Sequence, residues 1–160
     1  MAAEFSANVA QTVAANGSVI FTESPVPCSK GLIYHRDESG IFRLASPSVV
    51  RGGCMAKGCC GRMPFTDYLV SFSGNIAIPT GGTVEPISIA IAIDGEIDPS
   101  STMIFTPAAV GDYGNVSAQI VISVPWICRC ASTSVRNTSD QAILVQNANV
   151  TFVYKGIQYR

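Results

Sequence analysis

Pro86-Ile87-Ser88-Ile89-Ala90-Ile91-Ala92-Ile93-Asp94-Gly95 carries isoleucine at every second position, with only serine and alanine between. A period of two sends successive side chains to opposite faces of a strand, whereas a helix face would repeat every 3.6 residues. β-Branched isoleucine also fits a pleated sheet. The second face is small and uncharged, so another layer can approach it closely. The stretch therefore reads as a central strand, buried on its isoleucine side and at least partly covered on the other. Asp94-Gly95-Glu96 closes it with a hairpin signal.

Working outward, the same alternation recurs. Tyr68 to Ile78 reads as a long strand with Tyr68, Val70 and Phe72 on one face, and Gly74 marks a point where a bulge or bend fits. Met103-Ile104-Phe105 is a short strand. Val116, Ala118, Ile120, Ile122 and Val124 share one face of another. Pro125-Trp126 turns a corner into a strand through Ser132 to Arg136, Asn137 to Asp140 turns, and Gln141 to Tyr154 forms the last strand or pair. Upstream, Leu32 to His35 and Ile41 to Leu44 flank Asp37-Glu38-Ser39-Gly40 and predict a hairpin with an acidic turn. Asn16-Gly17 is a hairpin or kink signal between Val9 and Phe21. Ser24-Pro25-Val26-Pro27-Cys28 is a rigid extended connector. Residues 1–8 read as a flexible polar lead. Ser46 to Pro64 has no periodicity and holds a Gly/Cys-rich loop, Gly52 to Gly61. Nothing reads as a helix of useful length. The expectation is an all-β, two-sheet antiparallel jelly-roll sandwich of eight to ten strands, one domain over residues 9–160.

The chain has 160 residues, 48% of them hydrophobic and only 13% charged. That charged share is about half the usual one. No run of eighteen apolar residues occurs, so no transmembrane helix is expected. The surplus apolar surface calls for a subunit interface, because obligate interfaces resemble a core cut in half. A net charge of −1 argues against generic nucleic-acid binding. The opening Met1-Ala2-Ala3-Glu4-Phe5 lacks the basic and apolar regions of a signal peptide, which points to synthesis in a cytoplasm. Asn16, Asn115, Asn137 and Asn149 start sequons, read here as the Asn/Ser/Thr richness of β-loops. Lys30, Arg36, Arg43, Arg51, Lys57 and Arg62 are six of the ten basic residues, while acids gather from Asp67 to Asp112.

Catalytic signals are sparse, and the expectation is no enzyme, no catalytic residue and no cofactor. His35 is the single histidine and sits inside a predicted strand, without the orienting partner a general base needs. No phosphate cradle, nucleophile elbow or dinucleotide fingerprint occurs. The six cysteines leave three states open: free thiols, disulfides formed after release from a cell, or a metal site. Cys54, Cys59, Cys128 and Cys130 supply four thiolates for zinc, although the spacing departs from a Cys-x2-Cys knuckle. Asp94, Glu96 and Asp98 begin like a calcium loop but lack its later glycine and glutamate, so a solvated turn is expected. Trp126, the one tryptophan, reads as a packing residue.

The order of strands resembles the tumour necrosis factor / complement globular-head jelly roll from about Asn16 to Tyr154. Gly17 to Phe21 resembles that family's first strand, and Tyr68-Leu69-Val70-Ser71-Phe72 its aromatic strand. Ile87 to Gly95, Val116 to Val124 and Asn149 to Tyr154 resemble later ones. The chain departs in lacking a collagen-like stalk and in carrying the Cys-rich insert. Ile78 to Gly82, Met103 to Ala109 and Ala142 to Asn149 are similar to structural proteins encoded in prophages of gut Firmicutes. The resemblance implies a homotrimer joined through the aromatic sheet, with Tyr68, Val70, Phe72, Ile120, Ile122, Trp126, Phe152 and Tyr154 as interface residues. It also implies a virion component, made in a host bacterial cytoplasm: a capsid decoration or surface-display subunit whose partners are itself and other phage proteins such as the major capsid protein. The second reading is a trimeric receptor- or glycan-binding module on a bacterial or spore surface.

Overall fold

The computed structural model describes residues 1–28, 31–36, 39–47, 64–126 and 130–159. These form twelve strands: β1 (Ala2–Ala7), β2 (Gln11–Val13), β3 (Glu23–Val26), β4 (Ile33–His35), β5 (Phe42–Ala45), β6 (Pro64–Ala77), β7 (Ile87–Ile93), β8 (Glu96–Ile97), β9 (Met103–Phe105), β10 (Gly114–Pro125), β11 (Cys130–Asn137) and β12 (Ile143–Tyr159). A 3-10 turn at Pro99–Ser101 separates β8 from β9. The first sheet runs β10-β6-β12-β1-β3, with β2 also on β12. The second runs β4-β5-β11-β7-β8, with β9 also on β7. All neighbours are antiparallel, and the two sheets stack as a jelly-roll sandwich. β9 falls where a short strand was expected, and the strands not foreseen include β1 and the two-residue β8.

The isoleucine strand is β7. Ile87, Ile89 and Ile91 are fully buried, and so are Ala90 and Ala92 on its other side. Asp94 (φ 51°) and Gly95 (φ 89°) supply the two left-handed residues that a tight hairpin requires. Arg136 of β11 lies opposite Ala90. Its guanidinium donates to the Asn16 carbonyl at 2.7 Å and to the Gly95 carbonyl at 3.0 Å, tying two turns over the small face.

Residues 1–8, expected as a flexible lead, form β1 instead. Ala3, Phe5 and Ala7 are buried, and the strand pairs with β12 from Ala2↔Val153 to Ala7↔Ala148. The physical reason is that Phe5 enters the core between the sheets, where its ring lies 4.9 Å from Phe42. Of the hairpin or kink expected at Asn16-Gly17, the structure has the kink, a corner between the sheets. The chain leaves β2 in the first sheet there, Gly17 N–H donates to Ala14, and Val19 N–H donates to Val135 in the second sheet. The bulge foreseen near Gly74 falls on the partner strand. β6 stays regular, while β12 shifts register between Gln146 and Asn149, opposite Gly74. The loop expected over 46–64 lies outside the described residues except at its ends.

The sheets are stitched by Tyr68. Its buried hydroxyl, carried on β6, donates to the Ala45 carbonyl at the end of β5. Burial pushes this phenol above the ordinary tyrosine range, and Tyr154 beside it adds to the shift. A raised value in the folded state means the neutral phenol is favoured there. That contribution is complete below about pH 10 and is lost as pH climbs beyond it. Tyr68→Phe leaves the Ala45 carbonyl without its donor and should cost about 1–3 kcal/mol in denaturant unfolding. Between about pH 9 and 11, wild-type stability should fall more steeply than that of Tyr68→Phe. Equal slopes would show that Tyr68 carries no such linkage.

Candidate functional site

Alternation along β6, β10, β12 and β1 assigns one set of side chains to the core and the other to the outside of the first sheet. Cross-strand pairing lines the outer set up in rows. Val121, Leu69, Val153 and Ala2 are neighbours across four strands. The next row is Gln119, Ser71, Thr151 and Glu4, and the one after it Ser117, Ser73, Asn149 and Ser6. One apolar stripe thus crosses a face otherwise built from hydroxyls, amides and the Glu4 carboxylate. Val121 is 56% exposed, while Leu69 and Val153 are half-buried.

The polar rows are knit together. Gln119 Nε2 donates to Ser71 Oγ at 2.8 Å, Thr151 Oγ1 to Asn149 Oδ1 at 3.2 Å, and Asn149 Nδ2 to Glu4. Ser123 Oγ donates to Asp67 at 2.6 Å, which keeps that carboxylate bonded at the end of the face. Ser71, Ser73, Ser117, Gln119, Asn149 and Thr151 line a shallow groove of about 510 Å³. Such a surface offers hydrogen bonds of both senses and little charge, with a strip of carbon to be covered.

The interface residues expected from the sequence lie elsewhere. Tyr68, Val70, Phe72, Ile120, Ile122 and Phe152 are buried in the chain's own core. Trp126 and Tyr154 are half-buried, and the Tyr154 ring meets Tyr68 edge-on at 5.9 Å. Six of the eight side chains thus face the second sheet of the same chain, and an apolar alternation looks the same whether sheet or subunit covers it. The other parity faces outward. Leu69, Val121 and Val153 are apolar in positions where their strand neighbours are serine, threonine, glutamine and asparagine.

His35 is a packing residue on β4, stacked on Phe42 at 4.5 Å with Nε2 at 2.9 Å from the Ser39 carbonyl. Among the thiolate candidates, Cys54, Cys59 and Cys128 lie outside the described residues, while Cys130 is exposed at the start of β11. Asp94 accepts the Ser132 N–H at 2.7 Å, tying its turn to β11, and Asp98 accepts the Ser100 N–H at 2.9 Å, capping the 3-10 turn. No helix among the described residues is long and apolar enough to cross a membrane.

In sequence, no family model and no curated protein matches the chain. In structure it is similar to an Eiger TNF from S. frugiperda, with a TM-score of 0.61 at 11% identity, over 96% of this chain and 91% of that one. It is more distantly similar to the CBM22-1 xylan-binding domain of a Paenibacillus barcinonensis protein, with a TM-score of 0.34 at 11% identity, over 96% and 93% of the two chains. The first likeness identifies the sandwich as a TNF-like jelly roll.

Proposed function

We propose that the chain is a non-enzymatic assembly module. It forms a homotrimer through the outer face of the first sheet and serves as a decoration or surface-display subunit of a phage particle, contacting structural proteins such as the major capsid protein. The observation that carries the self-association is the apolar stripe Val121–Leu69–Val153–Ala2, set among rows in which the carboxylates of Glu4 and Asp67 are hydrogen-bonded to Asn149 and Ser123. Hydroxyls and amides cost less to desolvate than charge, and the Glu4 carboxylate beside the stripe is already bonded by Asn149. The low charged share of the sequence, 13%, supports the same reading. The phage context rests on the wording of Ile78 to Gly82, Met103 to Ala109 and Ala142 to Asn149.

Val153→Arg tests the face. The variant places a cation in the middle of the stripe on a side chain that is not in the core. It should retain the wild-type circular dichroism and melting curve and lose the trimer in light scattering. A variant that keeps the wild-type mass would remove the face from the account. Density for the chain on purified particles would support the virion role. The groove of Ser71, Ser73, Ser117 and Gln119 favours the second reading, a glycan-binding module. Specific glycan capture by isolated protein, lost in Ser117→Val with Gln119→Leu, would replace the first reading by that one.

A further inference from the structure

The corner where the chain crosses between the sheets needs both Asn16 and Gly17. Gly17 N–H donates to the Ala14 carbonyl at 2.8 Å, so Ala14–Gly17 is a β-turn. Its third residue, Asn16, has φ 61°, and Ala15 before it stays at negative φ. That is the type II pattern, and asparagine adopts a positive φ more readily than most side chains do. A Cβ on Gly17 would meet the Ala14 carbonyl oxygen at 2.9 Å, so the turn has room for glycine alone. Packing thus sets an exposed carboxamide, that of Asn16, beside an amide nitrogen that no side chain shields.

Every polar backbone group of the pair is engaged. Asn16 N–H donates to the Asn137 carbonyl at 3.1 Å, and the Gly17 carbonyl accepts Asn137 N–H at 2.9 Å. The Asn16 carbonyl accepts Arg136 Nε at 3.2 Å and Nη2 at 2.7 Å. Arg136 is anchored in turn, its Nη1 donating to the Gly95 carbonyl at 3.0 Å. In a type II turn the third residue has ψ of about 0°, which holds the next nitrogen away from that residue's side chain. To reach Asn16 Cγ, the Gly17 nitrogen has to swing about the Asn16 Cα–C bond until it lies beside Cβ. That rotation breaks the Gly17–Ala14 bond and turns the Asn16 carbonyl out of the Arg136 fork.

We infer that Asn16 is a latent modification site: its carboxamide converts to aspartate and isoaspartate only when this corner opens, and Arg136 is the residue that holds it shut. In the opened corner the Gly17 nitrogen gives up its proton and attacks Asn16 Cγ. The Cγ–Nδ2 bond breaks and ammonia leaves with the proton, so a succinimide remains. Water then opens the ring. Addition at Cγ gives aspartate, and addition at the main-chain carbonyl carbon gives isoaspartate. Water is consumed and ammonia released, with no change of oxidation state. Isoaspartate adds a methylene to the main chain, so the turn that sets Val19 N–H on the Val135 carbonyl cannot close again. The step is one-way and records that the corner has opened.

The test follows conversion of Asn16 in the full chain at mildly alkaline pH. Peptide mass spectrometry reads the gain from amide to acid, and isoaspartyl methyltransferase labelling reads the isomer. Wild type in buffer should convert at least about tenfold more slowly than the same chain in urea, because the ring closes only in the opened fraction. Arg136→Ala, checked for folding by circular dichroism, should convert several-fold faster than wild type in buffer and at the wild-type rate in urea. Phe42→Leu weakens the core without touching the corner and should keep the wild-type rate in buffer. Hydrogen exchange of wild type alone should show the Gly17 amide protected by at least the factor that separates the two wild-type rates. Equal wild-type rates in buffer and urea would overturn the inference, and so would an unprotected Gly17 amide. A folded Arg136→Ala with the wild-type rate would remove Arg136 from it. A Phe42→Leu rate as high as that of Arg136→Ala would show that global unfolding, not the corner, controls the step.

Discussion

Phe42→Ala should be among the most damaging single changes in the molecule, costing about 3–5 kcal/mol of unfolding free energy. Phe42 is 1% exposed and sits on β5, yet its ring gathers side chains from both sheets. Phe5 lies at 4.9 Å, Phe152 at 4.8 Å, Phe21 at 5.4 Å and His35 at 4.5 Å, all as ring centroids. Phe5 and Phe152 belong to the first sheet, so truncation opens a cavity where the two layers lock. Aromatic neighbours held by a strand at fixed pleat cannot collapse into such a space. Phe42→Leu refills most of the volume and should recover more than half of the loss. Urea unfolding monitored by circular dichroism measures both. A loss under about 1 kcal/mol for Phe42→Ala would mean the ring is not the junction described.

Asn137→Asp should be nearly as costly, on the order of 3 kcal/mol. Asn137 is fully buried at the end of β11. Its Nδ2 donates to the carbonyls of Val13 (3.1 Å), Ala14 (3.1 Å) and Gln141 (2.8 Å), and its Oδ1 accepts Ser139 N–H at 2.9 Å. One side chain thus holds β2, the corner at Asn16-Gly17 and the turn into β12. A carboxylate would face three carbonyl oxygens in a buried site, with no donor to give them. The destabilisation should shrink as pH is lowered towards the ordinary aspartate range near 4, because protonation removes the charge. Thermal melts of wild type and variant at two pH values decide this, and a pH-independent difference would contradict the charge argument. The same burial keeps Asn137 from carrying a glycan in the folded chain despite its sequon.

Local periodicity explains what was legible in the sequence. β6, β7, β9, β10 and β11 each alternate over their own length, and the turns between them use Asp-Gly, Pro and Asn chemistry that acts within four residues. Asp98 followed by Pro99 is such a signal too, since the aspartate caps the 3-10 turn. β1 was hidden because Ala3 and Ala7 are too small to mark a buried face, leaving Phe5 alone. The β12 bulge was written as a change of parity, from Ile143 and Val145 to Val150 and Phe152, and Asn147 (φ 51°) takes the left-handed conformation there. A strict period of two reads that change as two strands. Strand order and partner choice are non-local, so the rows on the outer face could only be drawn once pairing was known. The candidate site was therefore half legible: its strands were, its face was not.

The native mass of the purified chain, by light scattering with and without reductant, tests the central claim most directly. A module assembled through packed sheet surfaces should give three times 16.8 kDa, unchanged by reductant. A stable species of 16.8 kDa in both conditions would contradict the account, because the apolar stripe would then lack the partner assigned to it.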